Sequence, residues 1–208
     1  MTSYLYGVLG AVGAVLAWSA VNPHDYFTWF LEVAPALLGL LIMAYVWRAH
    51  GFQFTTFIYT LVAIHSVILI VGGHYTYAEV PLFNWLRDIG VFSRNNYDKI
   101  GHFAQGFFPA MVGREVLIRT SPLKGSRWLG PLVASVCLAL SAFYEMIEWW
   151  VSVLTGSAGD SFLGTQGYIW DTQSDMFLCM VGSIVALVLL SGVHDRALAA
   201  HGIEGSNA

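Results

Sequence analysis

Six runs of mainly apolar residues, each about long enough to cross a bilayer, constrain this chain more than any other feature. They fall roughly at 4–21, 27–47, 54–73, 98–118, 128–152 and 170–192. A helix rises about 1.5 Å per residue and needs about 20 apolar residues to span the hydrocarbon core. Little chain remains for a soluble domain. Only 11% of the residues are charged and 57% are hydrophobic, whereas soluble domains carry about 25% charged residues. The expected fold is therefore all-α: a single polytopic integral membrane bundle of about six transmembrane helices. The first run lacks the positive flank of a signal peptide and reads as a retained span. The polar tail, 197–208, is expected to be disordered.

The lysines and arginines set an expected orientation. Arg48, Arg114, Arg119, Lys124, Arg127 and Arg196 fall on one side. Arg87, Arg94 and Lys99 fall on the other, among Asp25, Glu79, Asp88 and Asp160. That bias puts both termini in the cytoplasm. Tryptophans near the run ends (Trp18, Trp29, Trp149, Trp150 and Trp170 outside, Trp47 and Trp128 inside) fit interfacial belts. In the long third loop, "PLFNWLRDIG" sets Leu82, Phe83, Trp85, Leu86 and Ile89 near one side of a short helix. Such a helix suits the membrane interface, or packing on the bundle. The net charge of −4 argues against nucleic acid as a partner. Cys137 and Cys179 sit inside apolar runs and read as buried thiols rather than a disulfide.

Polar residues interrupt three of the runs at matched depth. Asp98 and His102 are four apart in "YDKIGHFAQG", with Gly101 and Gln105 on their face. Glu145 and Glu148 are three apart in "SAFYEMIEWW", above Ser141. Asp171 and Asp175 are four apart in "WDTQSDMF". Residues three and four apart share a helix face. Insertion scales charge about 2.5–3.5 kcal/mol for one ionised residue at a span centre. Five carboxylates turned to lipid would cost on the order of 12–18 kcal/mol there, less near the interface. They are expected to point inward, their repulsion offset by protons, Lys99, an arginine or a metal.

His74 closes the third run, and His65 lies nine residues earlier, about 13 Å deeper. Imidazole and carboxylate ligands together suit zinc, manganese or iron(II). Each residue also has a plainer role. Asp98 and Asp171 suit the positive end of a helix dipole, and Asp171 also suits a helix cap. Glu32 suits an interface, and His65 suits a hydrogen-bonded core histidine. Those roles do not account for His102, Glu145, Glu148 and Asp175 at one depth.

The same residues carry a family resemblance. "YDKIGHFAQGFFPAMVGREVLIRTSPL", "SAFYEMIEWW" and "GTQGYIWDTQSDMFLCMVG" resemble the YjdF family of predicted bacterial inner-membrane proteins over nearly the whole chain. A weaker similarity links the order Asp98, Lys99, His102, Glu145, Asp171, Asp175 and Gly182 to VanZ-like membrane proteins, which are associated with the cell envelope. The resemblance implies a small multi-pass protein of the bacterial inner membrane and supplies no reaction.

Two functions follow as expectations. The first is a metal-dependent hydrolase or transferase acting on a lipid or lipid-linked substrate at a periplasm-facing site. His102, Glu145, Asp171 and Asp175, with His65 and His74, would bind the ion. Glu148 or Asp98 would act as general base. Lys99 and Arg94, with Gln105, would hold an anionic head group, and the third-loop helix would gate lateral entry. The alternative is a transporter that uses the carboxylates as a proton or cation relay. Against it, no inverted repeat is apparent, and beyond Arg114 and Glu115 the cytoplasmic half shows no second gate. A purely structural role for the cluster conflicts with the cost of buried ions.

Overall fold

A computed structural model describes residues 2–203, and among these every regular element is helical. The helices are α1 (Thr2–Ser19), α2 (Tyr26–His50), α3 (Thr56–Tyr75), α4 (Pro81–Asp88), α5 (Tyr97–Thr120), α6 (Leu129–Thr155), α7 (Asp160–Leu163) and α8 (Asp171–Ala200). A short 3₁₀ turn, Gly156–Gly159, joins α6 to α7. The six long helices coincide with the six apolar runs. Four of them, α2, α3, α6 and α8, are long and apolar enough to cross a membrane. Most of α1 is apolar but short, and α5 carries Asp98, Lys99, Arg114, Glu115 and Arg119. The outward faces of the long helices are greasy: Leu41, Tyr45, Leu140, Val153, Val188 and Leu189 are all exposed. A contiguous apolar exterior of this kind marks a membrane surface.

Local signals explain the helix ends. The Asp25 side chain caps α2 by accepting from the Thr28 amide at 2.7 Å. Gly51, at φ 65°, ends α2 in the left-handed conformation that glycine adopts cheaply. Thr55 caps α3, and Pro81 begins α4, where a missing amide hydrogen costs nothing. No residue of α4 is buried, so Leu82 and Trp85 face outward as an interfacial helix would present them. The C-terminal expectation needs correcting at residues 197–200. Here α8 continues to Ala200, because Leu198 is buried against the core and the Ile203 amide folds back onto its carbonyl. Residues 204–208 of the expected disordered tail lie outside the described residues.

The bundle is organised around α5, which packs most heavily on α8 and also on α6 and α3, while α1 and α2 close the far side of α3. Contacts between Lys99 and Asp171 at one end and Arg114 and Asp195 at the other make α5 and α8 parallel. Two glycines let their backbones touch. A Cβ on Gly106 would overlap the Cys179 carbonyl, and one on Gly182 would overlap the Phe103 carbonyl. Small residues serve the same purpose wherever membrane helices approach closely. Between the polar ends lies an apolar layer of Ala110, Met111, Cys137, Cys179 and Ala186, all buried. Both cysteines are free thiols, as the sequence suggested.

Two predictions follow. Valine at Gly106 or Gly182 should cost about 1–3 kcal/mol or more through overpacking, whereas Gly113→Ala, with open space around it, should stay within about 0.5 kcal/mol. Thermal melting in detergent separates the two cases. The hydrogen bond from the Thr28 amide holds the Asp25 carboxyl below its ordinary value of 3.8. The cap's charge-dependent contribution is therefore present above that value and lost as pH falls through the lower folded one. Asp25→Ala should cost about 1 kcal/mol at neutral pH and progressively less in acid, as read from melting curves at several pH values.

Candidate functional site

The first turns of α5 and α8 and the last turns of α6 bring the expected polar pairs together at one end of the bundle. Lys99 lies at the seam. Its Nζ donates to Asp171 Oδ1 at 2.8 Å, Ser174 Oγ at 2.8 Å and Asp175 Oδ1 at 2.6 Å, and lies 3.6 Å from Asp98 Oδ2. Arg94, in the loop before α5, donates to Asp171 Oδ1 at 2.8 Å and to the Thr165 carbonyl at 2.6 Å. Both cations also sit near the face of Tyr168, at 4.9 Å for Arg94 and 5.5 Å for Lys99. The loop before α8 is thus pinned over the start of α5, and Gln166 adds two hydrogen bonds to the Asn95 backbone.

His102 occupies the centre. Its Nε2 is 3.1 Å from Asp98 Oδ1 and 3.9 Å from Asp175 Oδ2. Its Nδ1 is 3.1 Å from Gln105 Oε1 and 3.8 Å from Glu145 Oε1. Among the described residues two groups have metal-ligand spacing, Asp98–His102–Asp175 and His102–Glu145–Glu148, with the ligand atoms of each within 4.8 Å of one another. Asp98 Oδ2 and Glu145 Oε1 are buried with no hydrogen-bond partner. Each has only a longer ionic contact, to Lys99 Nζ at 3.6 Å and to His102 Nδ1 at 3.8 Å, and buried acceptors without a hydrogen bond are costly and rare.

The remaining expected residues separate. Asp171 faces Arg94 and Lys99 rather than His102. His65 lines a cavity with His102, its ring stacked on Phe108 and its Nε2 unpartnered. His74 lies elsewhere: Nδ1 bonds the Ser19 carbonyl at 2.9 Å, and the ring packs on Trp18 and Tyr75. It ties α3 to the end of α1, and the nine-residue spacing from His65 could not reveal that. The cavity is lined by Phe162 and Gly164, from α7 and the segment after it, and by no residue of α4.

Several site residues carried no clear sequence signal. The cavity, about 80 Å³, is also lined by Glu32, Tyr77 and Tyr144. Glu32 is only 4% exposed rather than interfacial, because Gly73 lets α3 pack directly against its Cβ. Tyr77 takes a left-handed backbone, φ 49°, and its ring fills the space beside Gly72 and Gly101, where any Cβ would collide with it. A strained non-glycine residue held in a site is a recurrent functional mark.

A second polar network lies at the opposite end, where the sequence seemed to offer only Arg114 and Glu115. Buried Glu115 accepts from the Thr55 amide at 3.0 Å, the Thr55 hydroxyl at 2.8 Å and Arg119 at 2.9 Å, and lies 3.0 Å from His194 Nε2. Arg114 reaches His194 Nδ1 at 3.1 Å and Asp195 at 2.7 Å. The adjacent His194 and Asp195 in the last apolar run were the available signal.

An all-helical bundle with a greasy exterior and a buried carboxylate–histidine centre at one end defines a helical membrane protein. The chain belongs to the family described as predicted membrane protein (DUF2238), whose model matches residues 4–196. It is 43% identical over 190 residues to the inner membrane protein YjdF of Escherichia coli (strain K12), covering 91% of this chain and 90% of that one. No solved structure matches it. The likeness to VanZ-like proteins is carried by neither comparison.

Lys99→Met should leave Asp171 and Asp175 without their shared cation and cost about 3–5 kcal/mol. Adding Asp175→Asn should recover part of that loss. A double-mutant cycle on melting stability measures the coupling, and additive losses would show that the pair acts independently.

Proposed function

We propose that the chain is a metal-dependent enzyme of the bacterial inner membrane, acting on a lipid or lipid-linked substrate. In this reading all six long helices cross the bilayer, both termini are cytoplasmic and the His102 site faces outward. The 43% identity to an inner membrane protein and the placement of lysine and arginine support that arrangement. The observation that carries the reading is His102, flanked on both ring nitrogens by carboxylates, two of them with buried oxygens that make no hydrogen bond.

The side-chain geometry favours one of the two candidate groups. A neutral imidazole that donates from Nδ1 to Gln105 Oε1 keeps its Nε2 lone pair toward Asp98 and Asp175. Those three groups would hold a divalent zinc, manganese or iron ion, with Gln105 fixing the ring from behind. Such an ion supplies an activated water or polarises a phosphoryl or carbonyl oxygen. Glu145 and Glu148, on the Nδ1 side, stand where a general base can take a proton. Arg94 and Lys99 border a surface pocket of about 450 Å³ with Tyr168 and Ser174, wide enough for an anionic head group.

A proton or cation relay is the second reading, favoured by the Glu115–His194 pair at the far end. His102 and Glu115 are about 20 Å apart along α5, and the layer between them is apolar. The polar contacts within it are thiol bonds from Cys137 and Cys179 to backbone carbonyls, a poor route for a proton, so the enzyme reading fits better.

Purified protein should contain close to one equivalent of a transition metal by elemental analysis. His102→Ala or Asp175→Asn should each reduce this at least tenfold while leaving a folded chain. Metal content at background in the wild type, or unchanged in both variants, would overturn the proposal. Proton uptake by proteoliposomes that Glu145→Gln abolishes would favour the relay instead.

A further inference from the structure

The acidic end of the bundle holds more carboxyl groups than its own basic side chains pair. Six carboxylates gather there: Glu32, Asp98, Glu145, Glu148, Asp171 and Asp175. Arg94 and Lys99 are taken by Asp171 and Asp175, and His102 lies against Asp98. Among the described residues neither Glu32 nor Glu148 forms an ion pair. Both line the same cavity, on α2 and α6, and Glu32 leaves Oε2 buried and unpartnered. Among the described residues Glu32 belongs to no group of three with metal-ligand spacing. Around Glu32 the cavity offers Tyr77, Tyr144, Phe162, Pro35 and Leu69, aromatic and apolar surface that suits an organic cation, and it extends to Asp98, His102 and Gln105 of the proposed metal site.

We infer that this cavity binds an organic ammonium group, placed between the Glu32 and Glu148 carboxylates and against the aromatic walls. Carboxylates give such a cation charge-assisted hydrogen bonds. Aromatic faces attract it and tolerate its attached carbons. Glu32 lies about two turns into α2 and His102 about one and a half turns into α5. An ammonium-bearing head group seated at Glu32 would therefore reach toward His102 at the same depth. Tyr77, held in its strained conformation between the two glycine positions, sets the width of the cavity. The inference deepens the enzyme reading by naming a group on its substrate, but ammonium binding itself needs no metal.

The test is titration of the purified full chain in detergent with ethanolamine, once with a chelator present and once without, following thermal melting. Sodium chloride at matched ionic strength and ethylene glycol serve as controls. Wild-type protein should show saturable stabilisation by ethanolamine that neither control reproduces and that survives chelation. Glu32→Gln and Glu148→Gln should each weaken it at least tenfold, while Asp175→Asn, which removes a proposed metal ligand, should leave it within about twofold. Ethanolamine no better than sodium chloride would overturn the inference, as would a Glu32→Gln protein that titrates like wild type. A response lost in Asp175→Asn but kept in Glu32→Gln would place the cation at His102 and would also overturn it. Ammonium binding by a protein that holds no metal would sustain this inference while the metal reading fails.

Discussion

The seam between α5 and α8 is the constraint on which the rest of the bundle depends. Two parallel helices touch backbone to backbone at Gly106 and Gly182, and ion pairs close both ends of the contact. Parallel alignment puts the two helix N-termini side by side, where their dipoles favour negative charge. Asp98, Asp171 and Asp175 sit there, and Lys99 offsets them from within the same seam. At the other end the same alignment puts Arg114 and Arg119 in the last turns of α5, beside Glu115, His194 and Asp195. Separation of the two helices would leave charged groups unpaired in a low-dielectric interior, so the glycines and the ion pairs reinforce each other.

The site is built where this seam meets α6. Glu145 and Glu148 descend from the opposite direction, so His102 has carboxylates on both ring nitrogens. α2, α3 and the turn after α3 then close the fourth side with Glu32, His65 and Tyr77. The centre is therefore shared among five helices, with α5 and α8 contributing most of its polar residues. That division concentrates charge at one point while α2, α3, α6 and α8 each stay apolar enough to cross a membrane. The two polar ends remain separated by a packed apolar layer.

Much of this was legible in the sequence because the relevant patterns are local. Run length fixed the long helices, and spacings of three and four paired Asp98 with His102, Glu145 with Glu148, and Asp171 with Asp175. Matched depth implied that the pairs meet. Spacing could not say which oxygen faces which cation: Asp171 turned out to serve Arg94 and Lys99, while Glu148 joined His102. His74 sat at the right depth but on the wrong side of α3, facing α1. Glu32 looked interfacial because sequence places it near a span end, and only the packing of Gly73 against it shows its burial.

The sequence alone determined that this chain is a helical membrane protein with a polar centre at one end, because apolar run length and helical periodicity act within single segments. Only the tertiary structure decided the membership of that centre. It set α5 and α8 parallel and in contact, folded the α6–α8 connection over the cavity, and wedged Tyr77 between Gly72 and Gly101. Those outcomes depend on which helix faces meet, and the meeting of faces is governed by packing between residues far apart in the chain.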